Sequence, residues 1–436
     1  MAVSVRKPSS TAEIKVPSIP TTGAAIPPSP AVPLAELSPS ELARGYKLLA
    51  VTMFSMMLAM SLAESIQPNF FREEIGMNGA LNGYLIAIRE VPGFLLIFVS
   101  AILLRRGLAH ATGISLIIAG VGYTLFAPTT EYWMVIIPTL ISSVGYHSWL
   151  QLQPALGLSL ARKGEEGSVL GRLNSIGFLG SMLALVAVVV SLWGLERWTN
   201  IEQGPILRAF FIVAGIAAAI GAFVIWKFPT AEVDRVAARA APRITWRPEY
   251  RLYYWLALFD GSRMQIYFAF APFVLVEHFD VSAIELNIVL IIAMLIKWRM
   301  GPIIGQMVDR HGEKRMLTIG YVLHLTVFLG FAFSPNVWLA YLAYLGYNFM
   351  FLFSIGTTTY LKKICRREDL APSLAMGVSL SHLTAIVVPV VAATLWDRLG
   401  YQFPFIFGTV FIFGSLFLTR KIDVARQRWD AQPAAA

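Results

Sequence analysis

Two segments of this chain repeat one another at an offset of 205 residues. Residues 81–107 read LNGYLIAIREVPGFLLIFVSAILLRRG, and residues 286–312 read LNIVLIIAMLIKWRMGPIIGQMVDRHG. The pairs that are identical at this offset are Leu81/Leu286, Asn82/Asn287, Leu85/Leu290, Ile86/Ile291, Arg105/Arg310, Gly107/Gly312 and, further on, Trp133/Trp338. Each segment is an apolar run that ends in a basic turn. The repeat predicts two similar membrane-spanning halves with a binding site between them.

The composition is too apolar for a soluble protein of 436 residues, since 56% of the residues are hydrophobic and only 14% are charged. A helix of about 20 apolar residues crosses the hydrocarbon core of a bilayer. Twelve such stretches are predicted at 46–69, 81–104, 109–127, 132–158, 170–193, 207–227, 251–276, 284–307, 315–333, 337–361, 371–395 and 402–419. We therefore predict an all-α membrane protein with twelve transmembrane helices in two pseudo-symmetric six-helix halves.

The same pattern predicts the domain boundaries. The N-terminal half is residues 46–228, and the C-terminal half is residues 251–420. A cytoplasmic linker over 229–250 joins them. Residues 1–45 hold eight prolines and no apolar run, which indicates a disordered cytoplasmic tail rather than a signal peptide. Residues 421–436 form a second tail.

Basic residues predict the orientation. With the N-terminus inside, the cytoplasmic segments hold 27 of the 35 Lys and Arg residues, and the outer loops hold only Arg72, Arg197, Arg208 and Arg398. This positive-inside bias predicts that both termini are cytoplasmic, in a plasma or inner membrane. It also explains the net charge of +9 without a nucleic-acid partner. The single cysteine, Cys365, excludes a disulfide within the chain.

The turn after the eighth predicted helix carries a recognisable motif. It reads Gly305-Gln-Met-Val-Asp309-Arg310-His-Gly312-Glu-Lys-Arg315, which resembles the G-x-x-x-D-R-x-G-R-K signature of the major facilitator superfamily. The resemblance extends over residues 46–420 through the helix count, the repeat and the loop charges. It implies a secondary transporter in which these residues latch the inner gate in one conformation. Physically, Gly305 allows close approach of a helix, Asp309 can bind a helix N-terminus, and Gly312 permits a tight turn.

Other signatures of that superfamily are absent. The first repeat has Leu104 where the acidic residue of the motif is expected. Ile141 replaces the arginine that some proton-coupled drug exporters carry four residues before a glycine, here Gly145. The fifth helix also lacks the Gly-Pro pair of those antiporters, and the sugar-porter motif after the sixth helix is missing. The subfamily is therefore open.

Seven ionisable residues other than histidine lie within the predicted spans, where charge is costly and needs a partner or a water-filled cavity. They are Glu64, Arg89, Glu90, Asp260, Arg263, Lys297 and Arg299. Depth along each helix, at about 1.5 Å per residue, predicts that Glu64 pairs with Arg89 and that Asp260 pairs with Lys297. Asp260 and Arg263 are also neighbours at i,i+3. Glu64 is the predicted proton carrier. The four cations and three anions favour an anionic or zwitterionic solute.

In the fold that the resemblance implies, the first, fourth, seventh and tenth helices line the central cavity. Further candidates for the solute and proton path are His147, Gln151, Tyr347 and Asn348, because such side chains are costly to bury without a function. A stripe of Met53, Met56, Met57 and Met60 on the first helix suits varied ligands. The six histidines have no metal-ligand spacing, and no phosphate-binding loop occurs. No cofactor, metal site or enzymatic activity is predicted.

The sequence thus predicts a secondary transporter rather than an enzyme, which moves a small organic solute by alternating access and proton-coupled uptake. Its expected partners are the solute, protons and the lipid bilayer, and the expected state is a monomer. Two alternatives remain open at this point. One is export of amphiphilic compounds, which the methionine and aromatic residues would suit. The other is a receptor or scaffold on the same fold, which would keep the salt bridges without a continuous polar cavity.

Overall fold

The computed structural model describes residues 38–95, 107–160, 166–198, 202–229, 246–366 and 369–427. This part of the chain is helical and contains no β-strand. The principal helices are α1 (Pro39–Asn69), α2 (Gly79–Phe94), α3 (Leu108–Phe126), α4 (Tyr132–Ser159), α5 (Glu166–Trp198), α6 (Gln203–Ile225), α7 (Arg251–Glu277), α8 (Ala283–His311), α9 (Glu313–Ala332), α10 (Val337–Met350), α11 (Ile355–Ile364), α12 (Leu370–Leu399) and α13 (Gln402–Thr419).

These helices agree with the twelve predicted spans, and the tenth span corresponds to α10 and α11 together. A 3-10 turn, Phe351–Ser354, separates those two helices. By length and hydropathy alone, eight described helices could cross a membrane, and a ninth could if α8, bent by 42° between Gly301 and Ile303, is one span. Of the remaining predicted spans, α4 and α7 carry polar side chains that lower their hydropathy, and α2 is described over only 16 residues. The protein is a multi-pass integral membrane protein.

The two repeats share a local conformation at their ends. Gly107 precedes α3 with φ 86° and ψ 155°, and Gly312 precedes α9 with φ 78° and ψ 157°. Such positive φ values favour glycine, since a Cβ would be strained there. Trp133 and Trp338, which also match at the offset of 205, are 74% and 76% exposed at the starts of α4 and α10. The structure therefore repeats both the turn and the exposed tryptophan, as the alignment predicts.

Each half packs around its own apolar core. One core is formed almost entirely by residues of α1 to α6 and the other by residues of α7 to α13. A few side chains cross over: Phe273 and Ala283 belong to the first core, and Ala80 and Ile86 belong to the second. These four residues lie in α2, α7 and α8, so the halves contact each other closely where these helices meet.

The hydrogen bonds between the halves cluster at the end of the bundle away from the described chain ends. Asn69 Nδ2 donates to the Val281 carbonyl at 3.1 Å, and Asn82 Nδ2 donates to the Ala269 carbonyl at 2.6 Å. The Gly79 amide donates to the Glu277 carboxylate at 3.1 Å. We call this end, formed by the contacts of residues 69–84 with residues 269–281 and 393–397, the closed end. A further hydrogen bond between the halves, far from this end, joins Glu90 and His382.

Glycines on α2 allow the close approach at the closed end. A Cβ on Gly83 would lie 2.8 Å from both Ala393 Cβ and Phe270 Cζ, and a Cβ on Gly79 would overlap the ring of Trp396. Phe270 and Trp396 in turn stack with ring centroids 5.4 Å apart. Helix α2 therefore packs directly against α7 and α12 of the other half, and it needs small residues to do so.

Candidate functional site

A charge cluster at membrane depth joins α1 and α2. Arg89 Nη2 lies 3.2 Å from Glu90 Oε1, and Arg89 Nη1 lies 3.9 Å from Glu64 Oε1. The Glu64 side chain is 38% exposed, whereas that of Glu90 is 5% exposed. The contact between Glu64 and Arg89, predicted from their depths along α1 and α2, is therefore correct. The two carboxylates are in different settings, since Glu64 is the accessible member and Glu90 is the buried one.

Glu64 and Arg89 line a small cavity within the N-terminal half. The cavity has room for about one or two water molecules. Helices α1 to α4 supply its lining, which includes the polar side chains of Gln67, Tyr123, Thr139, Ser142, Ser143 and Tyr146. Five of them, Gln67, Tyr123, Thr139, Ser142 and Ser143, were not predicted from the sequence to have a role. Their signal was weak, because isolated hydroxyl and amide groups on apolar helices are common and usually bond to their own backbone.

Two histidines from different halves converge on Glu90. His147 Nε2, on α4, lies 3.5 Å from Glu90 Oε2, and His382 Nδ1, on α12, lies 3.2 Å from the same oxygen. The two imidazole centroids are 5.1 Å apart. One ligand atom from each of the three residues lies within 4.8 Å of the others. His147 was a predicted site residue, but His382 was not. Sequence spacing could not reveal the group, since its members come from three helices.

In the C-terminal half, the Asp260 carboxylate has a full set of partners. Arg263 Nη1 donates to Asp260 Oδ1 at 2.7 Å, as the i,i+3 spacing predicts. The Tyr321 hydroxyl donates to the same oxygen at 3.0 Å, and the Thr357 hydroxyl donates to Asp260 Oδ2 at 2.9 Å. The Arg263 guanidinium also lies 4.6 Å from the Tyr321 ring centroid. Asp260 therefore belongs to a satisfied polar network inside its own half.

The predicted pairing of Asp260 with Lys297 is wrong for this structure. Lys297 Nζ lies 5.8 Å from the ring centroid of Phe351, and Asp260 is bonded to other residues. Among the described residues, no carboxylate lies within salt-bridge distance of Lys297. Depth along a helix does not determine which way a side chain faces, and Arg263 on the same helix reaches Asp260 first. Arg299, two residues further on α8, is exposed.

Tyr347 and Asn348 are buried within the C-terminal half. The Tyr347 ring stacks on Tyr267 with centroids 3.5 Å apart. Asn348 Nδ2 donates to the Tyr267 hydroxyl at 2.6 Å and to the Tyr344 carbonyl at 2.9 Å. Tyr347 is 1% exposed and Asn348 is 4% exposed. In this conformation both side chains pack against Tyr267 of α7 inside the half, and a solute does not have access to them.

The methionine stripe is also divided between packing and accessible positions. Met53 and Met56 are buried in the core of the N-terminal half, at 3% and 0% exposure. Met57 and Met60 are half-buried. The side chain of Gln151, another predicted site residue, lies outside the described part of the structure, as does Leu104 of the first repeat.

The gating motif forms the turn between α8 and α9. Gly312 has the positive φ that the motif predicts. Asp309, Arg310 and Arg315 are exposed, and within the described ranges no salt bridge to Asp309 is present. The close approach predicted at Gly305 is not seen, since no atom lies within 4 Å of the position of an added Cβ. The latch that these residues are expected to form is therefore not engaged in this conformation.

A neighbouring contact nevertheless ties this turn to the rest of the half. The buried carboxylate of Glu313 bonds Lys363 Nζ at 2.6 Å. Lys314 Nζ donates to the Arg420 carbonyl at 2.9 Å. These bonds lie within the C-terminal half, so they fix the turn without joining it to the N-terminal half.

Comparisons with known proteins agree with this geometry. The family model described as Major Facilitator Superfamily matches residues 254–434. The chain resembles the major facilitator superfamily over this C-terminal region. Solved transporter structures, which match 86–90% of this chain, extend the likeness in fold to the N-terminal half.

Three solved structures illustrate the fold. The nucleoside transporter NupG has a TM-score of 0.65 at 17% identity, over 86% of this chain and 98% of that chain. The inward-open conformation of the xylose transporter XylE from E. coli has a TM-score of 0.66 at 16% identity, over 86% and 96%. An inward-facing bacterial homologue of the human lysosomal transporter Spinster has a TM-score of 0.64 at 13% identity, over 90% and 99%. No curated protein sequence matches the chain.

Proposed function

We propose that this protein is a secondary transporter that takes up a small organic solute with a negatively charged group, coupled to protons, by alternating access. The observation that carries the proposal is the position of Arg89 between an accessible and a buried carboxylate, at 3.9 Å from Glu64 and 3.2 Å from Glu90. Charges at this depth are expensive in lipid, and in transporters they mark solute and ion paths.

The geometry supports a specific exchange. Glu64 is more exposed than Glu90 and holds Arg89 at the longer distance. Protonation of Glu64 would remove one of the two anionic partners of Arg89. The guanidinium could then bind a carboxylate or phosphate of the solute bidentately, which is its preferred geometry. Loss of the proton from Glu64 on the opposite side of the membrane would restore the Glu64–Arg89 contact and release the solute.

Lys297 supports the choice of an anionic solute. It is half-buried in α8, and no carboxylate of the described residues neutralises it. A cation at this depth without an acidic partner favours a negatively charged ligand. NupG and XylE, by their names, carry a nucleoside and xylose, so uncharged polar solutes belong in any test panel. The export of amphiphilic compounds finds no support in Met53 and Met56, which pack inside the core.

The proposed gating depends on which side of the membrane each end of the bundle faces. If both termini are cytoplasmic, as the charge distribution predicts, the closed end faces outward and the gating motif lies at the inner side. The exposed Asp309 then corresponds to a disengaged inner latch. Closure of the inner side would bring this carboxylate to a helix N-terminus of the other half, where the helix dipole stabilises it.

The experiment that tests the function is solute flux in proteoliposomes under an imposed pH gradient. The panel comprises small carboxylates, organic phosphates, nucleosides and pentoses. We expect gradient-driven accumulation of at least one anionic solute by the wild type. Glu64→Gln should abolish this accumulation and retain exchange of solute at equal concentrations. Glu131→Gln, which alters an exposed carboxylate before α4, should behave as wild type. Accumulation by Glu64→Gln equal to that of the wild type would contradict the assigned carrier.

A further inference from the structure

The group of Glu90, His147 and His382 has the composition of a metal site, and its two carboxylate–imidazole distances suit one. Zn²⁺ binds nitrogen and carboxylate oxygen at about 2.0–2.2 Å in a tetrahedron, which sets neighbouring ligand atoms about 3.3–3.6 Å apart. Here Glu90 Oε2 lies 3.5 Å from His147 Nε2 and 3.2 Å from His382 Nδ1. Two histidines and one glutamate are a ligand set that proteins use for Zn²⁺ and that leaves a fourth position for water.

The hydrogen bonds around His147 prepare its Nε2 as a ligand. The Ser143 hydroxyl donates to the Arg89 carbonyl, so its proton is engaged. His147 Nδ1 lies 3.0 Å from the Ser143 hydroxyl oxygen and 3.0 Å from the Ser143 carbonyl oxygen. A carbonyl can only accept, so Nδ1 carries the proton in this arrangement. In a neutral ring, Nε2 then has a free lone pair directed at Glu90, and a bond of this kind orients metal-binding histidines in other proteins.

This arrangement calls for a cation between the groups. The Nε2 lone pair and the Glu90 carboxylate are both acceptors, so they repel each other at 3.5 Å unless a proton or a metal ion lies between them. Arg89 does not fill this place, because its guanidinium lies against the other oxygen, Glu90 Oε1, at 3.2 Å. The Glu90 carboxylate thus directs Oε1 toward Arg89 and Oε2 toward both histidines.

A glycine provides the space for the two rings. Gly93 follows Glu90 by one helical turn on α2. A Cβ at this position would lie 2.8 Å from His147 Cδ2, 2.9 Å from His147 Nε2 and 3.0 Å from His382 Cε1. Both imidazoles therefore approach the backbone of α2 more closely than any other residue would allow. The His382 side chain is 21% exposed, which leaves a route for an ion to enter.

We propose that Glu90, His147 and His382 bind a divalent transition-metal ion of the Zn²⁺ type, and that this ion holds the two halves in the present conformation. Glu90 and His147 belong to the N-terminal half, and His382 belongs to the C-terminal half. An ion bound to all three cross-links α2 and α4 to α12, and any rocking motion that separates these helices must break a metal–ligand bond. The ion acts as an inhibitor or regulator of the transport cycle. This inference does not depend on the identity of the solute.

The test uses the purified full-length chain in detergent, with Cys365→Ser to remove the only thiol. Co²⁺ serves as the spectroscopic probe, and Zn²⁺ serves as the competitor. We expect one saturable Co²⁺ site per chain, with the visible absorption of a four-coordinate ion, which Zn²⁺ displaces. His382→Gln should weaken Co²⁺ binding by more than tenfold, and Gly93→Ala should weaken it by about tenfold, as loss of supporting structure does in metal sites. His110→Gln, an exposed histidine on α3, is the matched control and should bind as the parent does.

A second variant keeps the test decisive if His382→Gln is poorly folded. His382→Cys replaces the imidazole with a thiolate, which is also a Zn²⁺ and Co²⁺ ligand. Its Co²⁺ spectrum should gain a sulfur-to-metal absorption band. A parent protein without a saturable site, or a His382→Cys spectrum without the sulfur band, would overturn the proposal. Because binding is measured without solute, failure of the flux assay would contradict the proposed function and leave the metal result intact.

Discussion

At the scale of single residues, the carboxylates of Glu64 and Asp260 differ in their exposure and in the number of their partners. Glu64 has one cationic neighbour at 3.9 Å and a 38% exposed side chain. Asp260 has three partners at 2.7–3.0 Å and a 16% exposed side chain. A carboxylate that gains and loses a proton during a cycle needs access and a replaceable partner. Glu64 has both, whereas Asp260 is suited to hold α7 against α9 and α11.

This contrast predicts different outcomes for the two carboxylates. Asp260→Asn leaves the buried Arg263 without its anion, and breaking such a pair costs about 3–5 kcal/mol of stability. Glu64→Gln should leave the melting temperature nearly unchanged. Thermal unfolding of the detergent-purified variants measures both. The double variant Asp260→Asn/Arg263→Gln should be more stable than Asp260→Asn alone. If the double variant is as unstable as the sum of the single variants, Asp260 and Arg263 do not stabilise each other.

Lys297 gives the prediction for solute charge. Lys297→Gln removes a cation without an acidic partner in the described structure, so stability should hold and the apparent affinity for an anionic solute should fall. Lys297→Arg keeps the charge and should retain most of that affinity. The measurement is the concentration dependence of flux in proteoliposomes, with the exposed Lys362→Gln as control. Unchanged affinity in Lys297→Gln would show that this residue does not contact the solute.

How far the sequence predicts the site depends on the kind of information required. Depth along a helix follows from counting residues, and it correctly placed Glu64 beside Arg89. It failed for Asp260 and Lys297, because the direction in which a side chain faces is set by helix packing and not by depth. His382 could not be assigned from spacing, since its partners Glu90 and His147 come from other helices.

At the scale of helices, α2 is the element on which both halves depend. Its glycines contact α7 and α12 at the closed end, and its charged pair Arg89–Glu90 lies at the middle of the membrane. The sequence identified this helix through the repeat, but it did not predict the contacts of Gly79 and Gly83. Small residues on an apolar helix are equally compatible with lipid exposure and with packing. Likewise, the methionine stripe and Tyr347 were predicted to line a cavity, and Met53, Met56 and Tyr347 are instead buried in the core.

A substitution on α2 tests the packing at the closed end. Gly83→Leu introduces a side chain where even a Cβ lies 2.8 Å from Ala393 and Phe270. It should separate α2 from the other half and open this end. The readout is the rate at which a membrane-impermeant thiol reagent modifies Ala80→Cys, a buried position at this contact, in a Cys365→Ser background. We expect faster modification in Gly83→Leu than in the parent.

The matched control for this experiment is Gly194→Leu on α5. The nearest atoms to an added Cβ at Gly194 belong to Trp198 and lie 3.7 Å away, at ordinary contact distance. This variant should leave the modification rate unchanged. Equal rates in Gly83→Leu and the parent would mean that the contact between α2, α7 and α12 does not keep this end closed.

At the scale of the whole molecule, the proposed function makes this structure one state of a two-state cycle. The halves are hydrogen-bonded at the closed end, and Asp309 of the gating motif is exposed at the turn between α8 and α9. The sequence predicted the motif and its glycine turn, and the superfamily resemblance supplied its gating role. The sequence did not predict which conformation would be observed, because the proposed cycle builds both states from the same residues.

Asp309→Asn tests the latch. Loss of the carboxylate should weaken the conformation in which the motif is engaged, and solute flux should slow by several fold at normal membrane insertion. Asp280→Asn changes an exposed aspartate in the turn before α8, and its flux should equal that of the wild type. Flux and the amount of membrane-inserted protein are measured together. Wild-type flux in Asp309→Asn would remove the gating role of this residue.

The central claim is that solute and protons cross the membrane together. The most direct measurement is the internal pH of proteoliposomes, read from a trapped fluorescent dye, after a transported solute is added outside without any imposed gradient. Coupled uptake predicts internal acidification that depends on the solute and that is absent in protein-free liposomes. Solute entry without a change in internal pH would contradict proton coupling, and the absence of entry for every solute in the panel would contradict the transport function itself.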